Sequence, residues 1–298
     1  MTLSVTARCS RTGQLGVALS SFDVLLTFLP VFDGHESPRF FSLVVPDLGA
    51  VTGQANTLPT FQAAVIGHLR SGLNAQTALD QALSEEAEAV RDGFQVAVVD
   101  AAGDTAAFTG GRPDDWRGHR VGAGWVAAGN ILSGESVVNA VAEALERSEE
   151  SALDERLLIA LEAGIAAGGD RRGHRCGYLR VASPDGAVNF EIRVHEHARP
   201  LEELRRLRDV YHVEGDFVTL ALSASRAIRE VVTDDELDAL GTKTVIDAVI
   251  ALRSSLAKRG AAAESLTAID RLLSALAARP EESQMIFGPI IRMLASVS

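Results

Sequence analysis

Cysteine is nearly missing from this chain: of 298 residues only Cys9 and Cys176 carry a thiol. Neither has a partner at redox or metal-ligand spacing, which excludes a disulfide scaffold and points to a reducing, cytoplasmic compartment. Basic charge is also short. With 28 Lys and Arg against 40 Asp and Glu, the formal charge of -12 leaves no basic face for a phosphate backbone or an anionic membrane, so neither is expected as a partner. The longest apolar run, Val24 to Phe32, is interrupted by Thr27 and Pro30 and falls short of the roughly 20 residues a spanning helix needs. The first thirty residues alternate polar and apolar rather than forming a basic-then-apolar leader, so no processing is expected except at Met1. Internal repeats are not visible, and Gly122-Ala123-Gly124 lacks the strand-to-helix context of a phosphate-binding loop.

What is present suffices for a large core. Hydrophobic residues make up 47% of the chain and charged ones 23%, and the length suits a domain of about 200 residues plus a smaller one. Leu3, Val5 and Ala7 alternate with polar residues, as do Leu15, Val17 and Leu19, across the turn Arg11-Thr12-Gly13-Gln14: a β-hairpin. Strands are read at Phe41 to Val45 and Ala50 to Gln54, then helices at Phe61 to Arg70 and Ala75 to Val90. A second hairpin spans Gln95 to Val99 and Thr105 to Thr109, and Val121 to Ala127 continues the strands. Helices follow at Ser136 to Arg147 and Leu153 to Ala167. A third hairpin, Tyr178 to Ala182 with Ala187 to Val194, is closed by a helix at Leu201 to Tyr211. Hairpins, a helix pair and hairpins again predict an α+β layered sandwich of antiparallel sheets covered by helices. Residues 213–298 form a separate helical extension, read near Leu220 to Val232, Asp234 to Lys258, Ala262 to Ala278 and Ser283 to Leu294. Its apolar stripes must be buried, on the main domain or in a symmetric homodimer or higher homo-oligomer, the alternative being a foreign protein partner.

The candidate chemistry lies at two places. Gly168-Gly169-Asp170-Arg171-Arg172-Gly173 sets three charges side by side between glycines that let the backbone bend. Asp170 could orient an amine or substrate cation, with Arg171 and Arg172 clamping a carboxylate; the alternative is a solvated helix C-cap. The other place is Met1-Thr2. Removal of Met1 would leave a hydroxyl and a free α-amine on Thr2, and the amine, with an ordinary pKa of about 7.7 to 8.0, can act as the base for its own hydroxyl. Thr2 could equally be a polar residue opening an edge strand. Asn130 could donate to an oxyanion or stabilise a turn; Gln54 and Asn56, ending another strand, invite the same two readings. His119 is an acid/base candidate or a loop anchor. His195 and His197 on one strand face suit a metal in geometry, but with no third ligand they are read as surface histidines, and no metal is expected. Cys9 is read as a buried thiol.

Several segments, in order, resemble a bacterial family labelled domain of unknown function 1028. They are Thr2 to Arg8, Thr12 to Ala18, Phe108-Thr109-Gly110, Trp116-Arg117-Gly118-His119, Gly129 to Gly134 and the Asp170 cluster. The resemblance covers about residues 2 to 210 and breaks between Ser21 and Arg39. It implies the four-layer αββα sandwich of N-terminal-nucleophile hydrolases, in which the strand-initiating residue sits at the mouth of a cleft. The function expected on this basis is cofactor-free hydrolysis of a linear or cyclic amide (C–N) bond in a small-molecule substrate, through an acyl-enzyme on Thr2. The competing expectation is a non-catalytic protein of the same fold that binds a small molecule or assembles.

Overall fold

A computed structural model describes residues 2–24, 42–111, 116–185, 188–212 and 245–258, with 266–267, 269–270, 273–274 and 277 beyond them. The chain packs as two units, Met1–Arg208 and Asp209–Ser298. In the first, the strands are β1 (Thr2–Arg8), β2 (Leu15–Ser21), β3 (Ser42–Val45), β4 (Gly49–Ala55) and β5 (Phe94–Asp100), then β6 (Thr105–Thr109), β7 (Trp116–Gly122), β8 (Trp125–Leu132), β9 (Cys176–Ala182) and β10 (Asn189–Val194). The helices are α1 (Pro59–Arg70), α2 (Ala75–Ser84), α3 (Glu88–Arg91), α4 (Glu135–Arg147), α5 (Leu153–Ala166) and α6 over residues 200–212, whose last residues pass into the second unit; α7 (Val245–Lys258) belongs to the second unit. The architecture is α+β, with two antiparallel sheets ordered β10-β9-β2-β1-β8-β7 and β3-β4-β5-β6.

Strand alternation decides what each sheet face meets. Leu3, Val5 and Ala7 of β1 join Val137 and Val141 of α4 and Leu157 and Leu161 of α5 in one core. Phe94, Val96 and Val98 of β5 join Phe61 and Val65 of α1 and Leu79 of α2 in another. A third core takes Leu15, Val17 and Leu19 of β2 and Val126 of β8 from one sheet, and Val44, Ala50 and Val99 from the other, so the two sheets face each other across it. Each such Leu or Val contributes roughly 1.5 to 3 kcal/mol on burial.

Three readings need correction. The helix expected over Ala75 to Val90 stops at Ser84, because the Glu85 and Glu86 amides turn back onto the carbonyls of Ala82 and Leu83 and Ala87 is extended. Beyond Leu83 no buried residue keeps the helical period, since α3 buries none of its side chains. The stretch Val121 to Ala127 is a hairpin between β7 and β8 rather than one strand. Gly124 turns it at φ +72°, and a Cβ on Gly122 would fall 2.2 Å from the Trp125 ring. His195 and His197 lie past the end of β10, both exposed.

In the second unit α7 buries Val249 and its Arg253 pairs with Asp270, beside the buried Ile269. The helices read at Leu220 to Val232 and Ser283 to Leu294 fall outside the described residues, as does most of Ser21 to Arg39.

Candidate functional site

The polar residues of the inter-sheet layer gather at one end. Along the strands whose side chains face that layer, β1 runs Thr2, Ser4, Thr6; β4 runs Gln54, Thr52, Ala50; β5 runs Gln95, Ala97, Val99; β8 runs Asn130, Ala128, Val126; and β2 runs Ser21, Leu19, Val17. Thr2 pairs with Ser21, and Leu3 with Gly129, so one step further sets Asn130 opposite Thr2. The Thr2 hydroxyl donates to Ser21 Oγ at 3.5 Å. A hydrogen bond of 2.6 Å between the Thr6 and Thr52 hydroxyls aligns the two sheets. Thr2, Gln54, Gln95 and Asn130 are all at most 2% exposed.

Gln95 joins this cluster together. Its Oε1 accepts from Gln54 Nε2 and from Asn130 Nδ2, both at 2.8 Å. Its Nε2 shares two hydrogens among Gly129 O at 3.0 Å, Gly118 O at 3.1 Å and Thr109 Oγ1 at 3.1 Å. Thr109 Oγ1 lies 2.8 Å from His119 Nδ1, so His119 is tied to the same network. The Thr109 hydroxyl has one donor and two acceptor positions, so this contact accommodates His119 Nδ1 as donor or as acceptor. Burial holds the His119 pKa below its ordinary value.

The Asp170 loop reaches the same strand end from the other side. Gly168 and Gly169, at φ +118° and +48°, end α5 with Gly168 N on Ile165 O at 3.0 Å and Gly169 N on Gly164 O at 3.1 Å, the paired bonds of a Schellman cap. A Cβ on Gly168 would sit 2.2 Å from Ser133 Oγ. The loop is then pinned to the end of β8. Asp170 bridges Leu132, Ser133 N donates to Gly169 O at 3.0 Å, and Arg171 N reaches Ile131 O at 3.4 Å. Ile131 itself holds φ +52°, a conformation a β-branched residue adopts only when its surroundings impose it.

The glycines form the cap. The Asp170 side chain is fully buried, with Oδ1 accepting from Arg172 N at 2.6 Å and Oδ2 accepting no hydrogen bond among the described residues. Burial raises its pKa, against the lowering effects of the Arg172 amide and guanidinium, the chain's terminal ammonium and the Phe22 amide. The Arg172 guanidinium stands 3.7 Å from Oδ1 and 4.9 Å over the Phe22 ring, which Arg175 also covers at 5.1 Å.

His174 fixes the loop from below. Its Nε2 accepts from Asp170 N at 3.0 Å, which leaves the proton on Nδ1 to donate to Ser20 Oγ at 2.9 Å, and Ser20 donates on to Cys176 O at 2.9 Å. Burial pushes the His174 pKa down to about 4, so the ring is neutral at pH 7. In this tautomer His174 cannot take the Ser20 proton; the pair is structural. Cys176, buried, has its thiol pushed up to about 11 by burial and is inert at neutral pH.

Of the residues singled out in the sequence, Gln54, Asn130 and His119 meet through Gln95, and strand register brings Thr2 beside Asn130. Arg171 and Arg172 are exposed next to Asp170. Asn56 stands apart, exposed beyond β4, with its amide on Gly93 O at 3.0 Å. Among the described residues no three metal-binding side chains cluster, and no helix is long and apolar enough to cross a membrane. Sequence reasoning missed Gln95 and His174. The signal for Gln95 was a lone amide in the inward register of an otherwise apolar strand, Phe94-Gln95-Val96-Ala97-Val98-Val99.

No functionally curated protein matches the chain. Among solved structures it is similar to the crystal structure of a Silicibacter pomeroyi protein assigned to the family of unknown function DUF1028. The TM-score is 0.61 at 26% identity, over 70% of this chain and 85% of that one. The model of that family matches residues 2–204, the span that holds both sheets, the Gln95 network and the Asp170 loop; the chain belongs to the DUF1028 family.

Proposed function

We propose that the two sheets with their helices form the four-layer αββα sandwich of N-terminal-nucleophile hydrolases. On this reading the mature chain, freed of Met1, hydrolyses a linear or cyclic amide bond through an acyl-enzyme on Thr2. The observation that carries it is Asp170 Oδ2, a buried carboxylate oxygen that accepts no hydrogen bond among the described residues, in a loop pinned two residues from Asn130 and hence from the Thr2 level. An orphan of that kind costs about 1 to 3 kcal/mol or more unless a donor arrives. The α-amine of a mature Thr2 supplies one.

In the reaction the neutral amine takes the hydroxyl proton while Oγ1 attacks the amide carbon. Asn130 bonds the oxyanion through the N–H not given to Gln95, and Asp170 stabilises the ammonium as it forms. The ammonium then protonates the leaving nitrogen, and water hydrolyses the ester by the same route reversed. Arg172 is placed to hold a substrate carboxylate beside the loop. The test is intact mass of the purified chain, followed by exposure to β-propiolactone. Loss of Met1 and one lactone adduct on Thr2 are expected; an unacylated Thr2 on a chain lacking Met1 refutes the reading. The commitment of Asn130 Nδ2 to Gln95 favours the non-catalytic reading of the same fold, which predicts binding without acylation.

For the helical extension we propose a symmetric dimer, supported by Ile250 standing exposed beside the buried Val249 of α7. Light scattering of the full chain and of one truncated after Tyr211 tests it: dimer and monomer are expected, and two monomers refute it.

A further inference from the structure

The Gln95 network dictates which atom of the Gln54 amide is bonded and which is left over. Gln95 Nε2 faces two backbone carbonyls, of Gly118 and Gly129, which only accept, so that atom is nitrogen and its Oε1 lies on the opposite side. The Gln54 atom 2.8 Å from Gln95 Oε1 must then be the amide nitrogen. Gln54 cannot flip without setting two oxygens against each other. Its own Oε1 is consequently aimed away from Gln95, and among the described residues this buried oxygen accepts no hydrogen bond. Gln54 as a whole is 1% exposed. A buried acceptor fixed in orientation and left open selects a donor.

We propose that Gln54 Oε1 is a specificity-determining acceptor for the N–H of the substrate amide. The inference rests on the hydrolase reading above and narrows its substrate class. The site takes amides that carry hydrogen on nitrogen, such as primary amides and unsubstituted lactams, and rejects their N-alkylated counterparts, which would desolvate Gln54 Oε1 without bonding it. Gln95 is the positioning residue that imposes this choice, because it holds the Gln54 nitrogen inward. Asn130, bound to the same Oε1, is oriented by the same lock.

The experiment uses the full chain and two lactams that differ by one methyl group, 2-pyrrolidinone and N-methyl-2-pyrrolidinone. Their affinities are measured by NMR titration following the glutamine side-chain amides of the protein. The unsubstituted lactam is expected to bind at least about tenfold more tightly and to shift the Gln54 amide signals, since rejecting an analogue that leaves a buried acceptor unpaired is worth at least that factor. Gln54→Met should bring the ratio near one. Should that variant not fold, the wild-type ratio decides by itself. Equal affinities, tighter binding of the N-methyl lactam, or no binding of either overturns the proposal. β-Propiolactone, which has no N–H, separates the two readings. Acylation of Thr2 by the lactone without discrimination between lactams sinks the Gln54 subsite alone; discrimination without acylation sinks the nucleophile and leaves the subsite.

Discussion

The layer between the two sheets has two unlike ends. Toward Leu15, Val17, Val99 and Val126 it is filled mainly by aliphatic side chains, and the outer faces under the helices are apolar too. Toward Thr2, Ser21, Gln54, Gln95 and Asn130 four strands, β2, β4, β5 and β8, turn polar together at equal burial, beside β1, which faces the layer with Thr2, Ser4 and Thr6 throughout. Burial alone rewards the first arrangement and penalises the second. Four strands switching at the same level is thus a statement about use rather than about folding. The polar end is also where backbone strain is kept, at Ile131, and where Gln54 Oε1 and Asp170 Oδ2 are buried with no hydrogen bond among the described residues.

The contrast can be broken most severely from the apolar side. Leu161→Ala, in the core under α5, should lower stability by about 2 to 5 kcal/mol in urea denaturation, while the lactone acylates the remaining folded protein at the wild-type rate. A parallel loss of acylation would mean that the two ends are not independent. Gln95→Leu should cost less stability, about 1 to 3 kcal/mol, yet reduce acylation more than tenfold, since Asn130 and Gln54 lose their common anchor. An unchanged rate would remove Gln95 from the site.

His174 sharpens the comparison through pH. Its folded pKa, about 4, lies below the unfolded value of about 6.5, so the unfolded chain binds the extra proton and stability falls as pH drops from about 6.5 toward 4. The slope from this group is at most about 1.4 kcal/mol per pH unit. His174→Gln should flatten it, as followed by melting temperature across that window. The smallest effect on stability, and the most telling, is expected from Asp170→Asn. Because burial raises the Asp170 pKa, the folded state holds the proton more tightly than the unfolded one, and ionisation weighs against folding as pH rises through that folded value. The neutral variant should therefore melt at the same temperature at pH 7 or slightly higher, while acylation of Thr2 is lost. A large drop in melting temperature with acylation retained would make the loop purely structural.

Much of the scaffold could be read in advance. Leu3-Val5-Ala7 and Leu15-Val17-Leu19 encode their hairpin by alternation, and the adjacent glycines after Ala167 announce a helix end. The glycines did not disclose that Asp170 would be buried, because that depends on Leu132, thirty-eight positions earlier, arriving alongside. The Gln95 hub was hidden for the same reason. Its partners come from β4, β6, β7 and β8, and only register and sheet stacking bring them to one point. Local periodicity reports which face a residue takes; it is silent on who waits across the layer.

The sheet order has a consequence for biosynthesis. β1 lies in the interior of its sheet, with β2 on one flank and β8 on the other. It leaves the ribosome before any other described strand. β2 follows after one turn and can pair at once, but the Ser4 hydroxyl meets Ala128 O across 124 residues of chain. Until β8 emerges, the β1–β2 ribbon offers an open edge, and Leu3 and Val5 wait longer still, for α4 and α5 to cover them. At roughly 5 to 20 residues per second the wait is on the order of ten seconds. During that interval a nascent hairpin with an apolar face is a natural client for chaperones, and the docking of β8 completes the Thr2–Asn130 neighbourhood.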